Sequence, residues 1–399
     1  MIYYQYIITA ILAFILINFI INMIFFKNIR KFSLPEYILK NPPLVSVLIP
    51  ARNEAENIHR CLSSLSKQDY PNLEIIVLDD NSTDRTSEVV QEFAVKDSRI
   101  SLVNGAPLKK GWLGKCFACH QLAKQAKGDY FVFTDADTLH FDSTISKAFA
   151  ALINNKLDAL SIYPNQITVT FHERMTVPFI NFAILSFMPL VLVKKAKSAF
   201  FSTGIGQFFL FKREVYEKFG GHESVKGEIL EDIHISKQVK KFGYKIMVFD
   251  GSNNIFCRMY HNFDEVIKGF SKFIFAAFDY NGFMEMIAMG FFSMIFMVPF
   301  LLLPMGVFIF SWSGQVITFN IIQICIILVI KIILSMRFRN RILDVLLTPV
   351  SVAYMVLIAG NSYFQAKLGK GIYWKGRTYS VKDEDELGLV DDAFKKHGI

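Results

Sequence analysis

Apolar runs long enough to cross a bilayer constrain this chain more than any other feature. The first, Ile7 to Phe26, is about 20 residues long, the length a helix needs to span the hydrocarbon core, and Lys27, Arg30 and Lys31 follow it at once. That order predicts a membrane helix whose carboxyl end faces the cytoplasm. No basic segment precedes the run and no small-x-small cleavage site follows it, so residues 1–31 read as an uncleaved anchor, not a signal peptide. Three more runs, Met286 to Phe310, Val316 to Leu334 and Ile342 to Ala359, fall within residues 283–364. The turn Ser311 to Gln315 lacks Lys and Arg and is assigned outside, whereas Arg337, Arg339 and Arg341 mark the next loop as inside. Basic residues flank the last run on both sides, with Lys367, Lys370, Lys375 and Arg377 behind it. Pro349, near its middle, therefore suggests a broken, re-entrant element ahead of a cytoplasmic tail over 365–399. A multi-pass protein of the cell membrane is expected.

Composition agrees. The chain has 399 residues, is 52% hydrophobic and carries 40 Phe, enough for a sizeable soluble core and too apolar to be only that. Its net charge of +8 comes from Lys and Arg beside apolar runs, which suits anionic headgroups, so no nucleic-acid partner is expected. The five cysteines are odd in number and Cys325 lies inside an apolar run, so no disulfide framework is legible. Nothing in the sequence names a protein partner.

After a linker with three prolines, Phe32 to Pro43, residues 44–279 have the charge density of a soluble domain. Val45–Ile49, Leu73–Leu78 and Tyr130–Thr134 read as strands, with helices over Glu56–Gln68 and Asp84–Val95 between them. Strands apolar on both faces and joined by helices predict an α/β domain with a mostly parallel sheet covered on both sides. Phe171 to Val193, with Pro178 and Pro189 inside it, reads as an interfacial helix or a buried core helix.

Ligands of such sheets sit at the carboxyl ends of the strands. The first strand ends in Pro50-Ala-Arg-Asn53-Glu54 and the second in Asp79-Asp80-Asn-Ser-Thr-Asp84. Pro50, Asn53, Glu54, Asp79 and Asp80 are candidates to line a nucleobase and ribose pocket, and Asp84 is left to capping its helix. The next strand ends in Asp135-Ala-Asp137, two carboxylates that repel unless a cation lies between them; Mg2+ or Mn2+ held there would also take diphosphate oxygens. Alone, Asp-x-Asp is common in solvated loops. Its place behind two other acidic strand tips gives it weight. Gly204-Ile-Gly206-Gln207 breaks an apolar stretch and would let backbone approach a sugar, or form a simple turn. Cys116-Phe-Ala-Cys119-His120 fits the pattern of covalent haem attachment, but it lies on the expected cytoplasmic side and directly extends Gly111-Trp-Leu-Gly-Lys115, so two buried small thiols are expected.

Val45 to Glu54, Asp79-Asp80 with Asn-Ser-Thr-Asp behind it, and Asp135-x-Asp137 together resemble the signature of family 2 glycosyltransferases, whose fold is called GT-A. Gly111-Trp-Leu-Gly-Lys115 resembles a segment of a lipid-modifying branch of that family. Trp374-Lys-Gly-Arg-x-Tyr379 is similar to the tail of carotenoid (4,4'-diaponeurosporenoate) glycosyltransferases of staphyloxanthin-type pathways, and hopanoid-associated glycosyltransferases look similar too. The resemblance implies that Asp79 or Asp80 contacts the nucleobase, that Asp135 touches ribose or metal, that Asp137 binds metal, and that Glu231-Asp232 is the pair whose Asp is the catalytic base. The bland alternative for that pair is the acidic first turn of a helix. Lys115 and Arg258 are candidates for the diphosphate, one as a point charge and the other as a fork. Arg258 lies in Cys-Arg-Met-Tyr260, unlike the Gln-x-x-Arg-Trp of processive relatives, which argues against a polymerising synthase.

The expectation is a GT-A nucleotide-sugar domain on membrane helices, transferring a sugar with inversion from UDP-glucose to a lipid-like acceptor. The first choice of acceptor is a carotenoid carboxylic acid. Polyprenyl-phosphate, hopanoid and sphingoid lipids are the alternatives, and a catalytically silent membrane scaffold is the non-enzyme reading.

Overall fold

A computed structural model describes residues 1–368, together with the backbone of 372–374, 377–379 and 389–390, and side chains through Gln365. Lys375 and Gly376 of the tail motif, like most of residues 365–399, lie outside the described residues. The described chain forms two compact units, one from Phe26–Asn165 and Leu190–Met259 and the other from Met1–Phe25, Gln166–Pro189 and 260–368.

The first unit is built on eight strands: β1 (Val45–Ala51), β2 (Leu73–Asp79), β3 (Ile100–Asn104), β4 (Tyr130–Thr134), β5 (Thr138–His140), β6 (Ala159–Gln166), β7 (Phe208–Lys212) and β8 (Ile246–Cys257). They lie in the order β3-β2-β1-β4-β7-β6-β8-β5. The half β3-β2-β1-β4, of which the sequence makes β1, β2 and β4 legible, is parallel; beyond β4 the pairs β4–β7, β7–β6 and β5–β8 are antiparallel. Val45, Val47, Ile49, Ile75, Val77 and Val132 are shielded by Ile58, Leu62, Leu65 and Phe149 from the helices Ala55–Leu65 and Thr144–Asn154. Each such fully buried side chain contributes about 1.5–3 kcal/mol. The register pairs Ala51 with Asp79 and Leu48 with Phe133, so β1, β2 and β4 all end at one edge.

The strand Ile100–Asn104 is absent from the sequence reading. It is an edge strand in which only Ile100 is fully buried and Ser101 and Asn104 are exposed, so no continuous apolar run marks it.

In the second unit, Ile2–Phe25, Gly314–Arg337 and Ile342–Gln365 are long and apolar enough to cross a membrane; Gly282–Phe296 and Val298–Phe308 make a fourth candidate bent by 47°. Polar side chains bind between these helices: Gln323 Nε2 donates to Gln5 Oε1 (2.7 Å) and Thr9 Oγ1 (3.0 Å), and Asn320 Nδ2 donates to Pro299 O (3.0 Å). Gln5 faces Gln323 and Met23 faces Arg337, so Ile2–Phe25 and Gly314–Arg337 run in the same direction.

Two sequence expectations change here. Pro349 does not break the last apolar run: it sits in the first turn of the helix Thr348–Leu368, where a missing N–H has no intrahelical partner to lose. The bend falls instead between Phe296 and Val298, where Pro299 removes a donor just inside the next helix. The stretch Phe171 to Val193 is three helices, Phe171–Thr176, Pro178–Phe187 and Leu190–Lys195, broken ahead of its two prolines. Asn22 Nδ2 donates to Leu185 O (2.9 Å) and Met188 O (2.7 Å), pinning the second break to the helix Ile2–Phe25.

Candidate active site

Pro50, Lys115, Asp135, Gly206, Glu231 and Asp232, from five segments far apart in sequence, line one cleft of about 310 Å³ at the carboxyl ends of β1 and β4. Asp135 directly follows β4. Lys115 lies in the first turn of the helix Gly114–Gln125, the positive end of its dipole and a poor place for a cation. Two carboxylates hold it there: Lys115 Nζ lies 2.8 Å from Asp135 Oδ1 and 3.1 Å from Glu231 Oε1. Burial pulls the ammonium down, but Asp135 and then Glu231 overcome it and keep Lys115 well above the usual lysine range.

Glu231 and Asp232 open the helix Glu231–Lys241, whose dipole favours acids. Asp232 Oδ2 accepts from Gly206 N (3.1 Å) and Oδ1 from Ile233 N (2.8 Å). Burial first and the Glu231 charge second raise Asp232 to about 7, against the opposing pull of Lys115 and those two N–H groups. A carboxyl so placed can hold or give up a proton near neutrality. Gly206 is required for closeness: a Cβ there would lie 2.9 Å from Lys115 Nζ and 3.4 Å from Glu231 Oε1.

Asn53, Glu54, Asp79 and Asp80 form a second group, at the β1 and β2 tips. Asn53, at φ 52°, accepts through Oδ1 from Thr83 N (2.8 Å), tying the two tip loops together, and Glu54 Oε2 accepts from Asn57 Nδ2 (2.9 Å). Asp79 is buried; Oδ2 accepts from Ser82 N (3.3 Å), while Oδ1 accepts nothing among the described residues. A buried acceptor left empty is costly, and a nucleobase N–H is a donor that would fill it. Asp80 is buried beside it, and its carbonyl accepts from Arg52 (2.6 Å). Asp84, one residue ahead of the N-cap Arg85, accepts from Thr86 N (3.0 Å) and from Ala55 N (3.0 Å).

Asp137 and Arg258 lie away from the cleft lining, at the β5–β8 pair. Thr138 pairs with Cys257 in antiparallel register, which sets Arg258 across from Asp137. Asp135 and Asp137 are half-buried hard-oxygen donors on one turn, closed by Thr138 Oγ1 donating to Asp135 O (2.7 Å). Among the described residues no group of three or more His, Cys, Asp and Glu converges. Two carboxylates are a partial donor set, suited to Mg2+ or Mn2+ that shares its remaining positions with a diphosphate.

Sequence reasoning missed His222, which lines the cleft and donates to or accepts from Tyr216 Oη (2.7 Å). Burial drops its pKa to about 3, so it is neutral at physiological pH. Its only signal is the preceding Gly220-Gly221, both at positive φ, which turns the chain into the cleft wall. Cys116 and Cys119 are buried on the helix behind Lys115, and Cys116 Sγ contacts Val225 O (3.5 Å).

Acidic tips on a parallel half-sheet face a second acidic pair across one lysine, and residues 46–220 match the model of the glycosyl transferase family 2. Among curated proteins the chain is 27% identical over 231 residues to 4,4'-diaponeurosporenoate glycosyltransferase of Staphylococcus haemolyticus, covering 57% of this chain and 60% of that protein. It is 31% identical over 229 residues to probable glycosyltransferase YdaM of Bacillus subtilis, covering 57% and 53%. The match thus spans little more than half the length of these relatives. Among solved structures it is similar to the mannosyltransferase PcManGT of Pyrobaculum calidifontis in complex with GDP-Man and Mn2+, at 19% identity and a TM-score of 0.48, covering 90% of this chain and 99% of that one.

Proposed function

We propose that this chain is a membrane-bound glycosyltransferase that moves glucose from UDP-glucose to the carboxylate of a carotenoid acid, with inversion at the anomeric carbon. The observation that carries the reading is the convergence of Asp135, Glu231 and Asp232 on Lys115 at the strand tips. The Staphylococcus haemolyticus relative, a 4,4'-diaponeurosporenoate glycosyltransferase, supports the acceptor.

In this reading the empty acceptor of Asp79 takes the imide N–H of the base, with Asp80 buried beside it. Lys115, in the cleft, and Arg258, across from Asp137, would meet the diphosphate. Asp135 and Asp137 would hold Mg2+ or Mn2+, which would supply positive charge against the negative charge developing on the departing UDP. An acceptor oxygen bonds to the anomeric carbon with its own electron pair while the bond to UDP breaks and UDP keeps its pair. One displacement inverts the centre. A carboxylate acceptor is already ionised at pH 7, and Asp232 then only orients it.

A second reading has an observation of its own. Asp232, at about 7, is poised as a general base, which a hydroxyl acceptor such as a hopanoid or sphingoid lipid needs and a carotenoid acid or polyprenyl phosphate does not. Incubating the full chain in detergent with labelled UDP-glucose and each lipid class, then determining the anomeric configuration, separates these readings. A glucosyl ester of the carotenoid acid supports the first; UDP release with a hydroxyl lipid alone selects the second. UDP-glucose left intact with every lipid would leave the scaffold reading.

The catalytic unit is proposed to face the cytoplasm. The shared direction of Ile2–Phe25 and Gly314–Arg337 supports it, because both helices then end in basic flanks on one side. A reporter fused after Arg341 should be cytoplasmic, and an external signal there would reverse the orientation.

A further inference from the structure

The helical unit contains a second cleft, enclosing about 490 Å³, which the proposed reaction does not use. Its wall includes Arg174, Lys331, Arg341 and Asp344, with Asn181, Ser335 and Asn340 among them. Arg174 Nε lies 3.1 Å from Asp344 Oδ2, so the only carboxylate on the wall is already matched. Lys331 lies six residues before the end of the apolar helix Gly314–Arg337. Among the described residues it has no ion pair or hydrogen bond; its Nζ rests 5.2 Å from the ring centre of Phe182. Arg341 is exposed and likewise has no ion pair among the described residues.

A lysine inside a spanning segment is expensive and rarely left without a charge to answer it. Six residues of helix rise about 9 Å, so Lys331 sits roughly that far inside the end of the span, within snorkelling reach of the headgroup layer. That end also carries Arg337, Arg339 and Arg341, the flank that the positive-inside rule sets in the cytoplasmic leaflet. Three cations and one aspartate leave the wall two positive charges in excess, and hydroxyl and amide donors stand between them.

We infer that this cleft binds the phosphate headgroup of an anionic phospholipid from the cytoplasmic leaflet, with Lys331 and Arg341 as its principal contacts. The apolar faces around Pro178 and Phe182 suit the start of its acyl chains. This site is independent of the donor cleft and of the acceptor proposed above.

The test is lipid retention by the full chain, measured by native mass spectrometry after extraction from nanodiscs of phosphatidylcholine with a minority of phosphatidylglycerol. Wild type should retain one phosphatidylglycerol in preference to phosphatidylcholine. Lys331→Met should lower that preference roughly fivefold, the effect of one basic residue near a membrane surface, and Lys331→Arg should restore it. Unchanged affinity for UDP-glucose shows that a variant is folded. Should Lys331→Met fail to fold, exposed Arg341→Gln carries the test, with a loss of the same direction. Undiminished phosphatidylglycerol retention by a folded variant, equal retention of phosphatidylcholine, or full displacement by inorganic phosphate, which would mark a site for soluble anions, overturns the inference.

Discussion

In the sheet unit, the cleft at the strand tips gathers three carboxylates round one lysine; in the helical unit, the cleft beside Lys331 gathers three cations round one aspartate. Each excess is partly answered by a single opposite charge, Lys115 in the first and Asp344 in the second. Elsewhere in the helical unit buried polar groups answer one another, as Gln5 does Gln323 and as Ser271 does Asn361. A folded chain does not leave like charges together without something to offset them. The difference in sign matches what the two proposals assign: a cation with its diphosphate to one, an anionic headgroup to the other.

The largest effect is expected from Asp137→Ala, outside the cleft lining, which removes one of the two donors on the β4–β5 turn that bears Asp135. Divalent-dependent UDP-glucose affinity, measured by calorimetry, should fall on the order of 100-fold, the scale of losing one preorganised electrostatic contact. Next is Asp232→Asn. With a hydroxyl lipid it should cut kcat by about 10² to 10⁴, the range of general-base catalysis, and with a carotenoid acid by less than about tenfold. The wild-type pH profile sharpens this. With a hydroxyl acceptor the rate should climb as pH rises through about 7, because Asp232 must first lose its proton, and that limb should be missing with an ionised acid.

Lys115→Met has a smaller, two-sided outcome. Donor affinity should drop about tenfold through loss of one charge-assisted contact. The apo protein should also lose stability, since Asp135 and Glu231 would then face each other without their shared cation; thermal unfolding reads this directly. Gly206→Ala should be milder still, because its new Cβ meets the flexible end of Lys115 at 2.9 Å and not a backbone atom. A few-fold fall in kcat with an unchanged melting temperature is expected for such a shift of position.

Much of the parallel half was legible, because β1, β2 and β4 are apolar runs bounded by turn signals and helices. The antiparallel half was not. β8 carries Asp250, Gly251, Ser252, Asn253 and Asn254 in its middle, polar and small residues that no apolar run marks, yet most of them are buried and bonded: Ser252 N donates to Asp250 Oδ1, and Asn254 O accepts from the distant Thr144 Oγ1. β6 hides Pro164 in the same way. At the candidate site, the acidic tips announced themselves because each directly follows a strand. The meeting of Lys115 with Asp135 and Glu231 depends on how three distant segments pack, which no local pattern records. Pro349 misled for a related reason: a proline within an apolar run looks like a break until the helix start is known to lie beside it.

Calorimetric titration of UDP-glucose into the detergent-solubilised chain, with and without Mn2+ or Mg2+, bears most directly on the carboxylate cleft. Saturable binding that needs the divalent ion in wild type and is lost in Asp137→Ala is the result expected. Binding of equal strength in the presence of a chelator, or unchanged in that variant, would contradict the account.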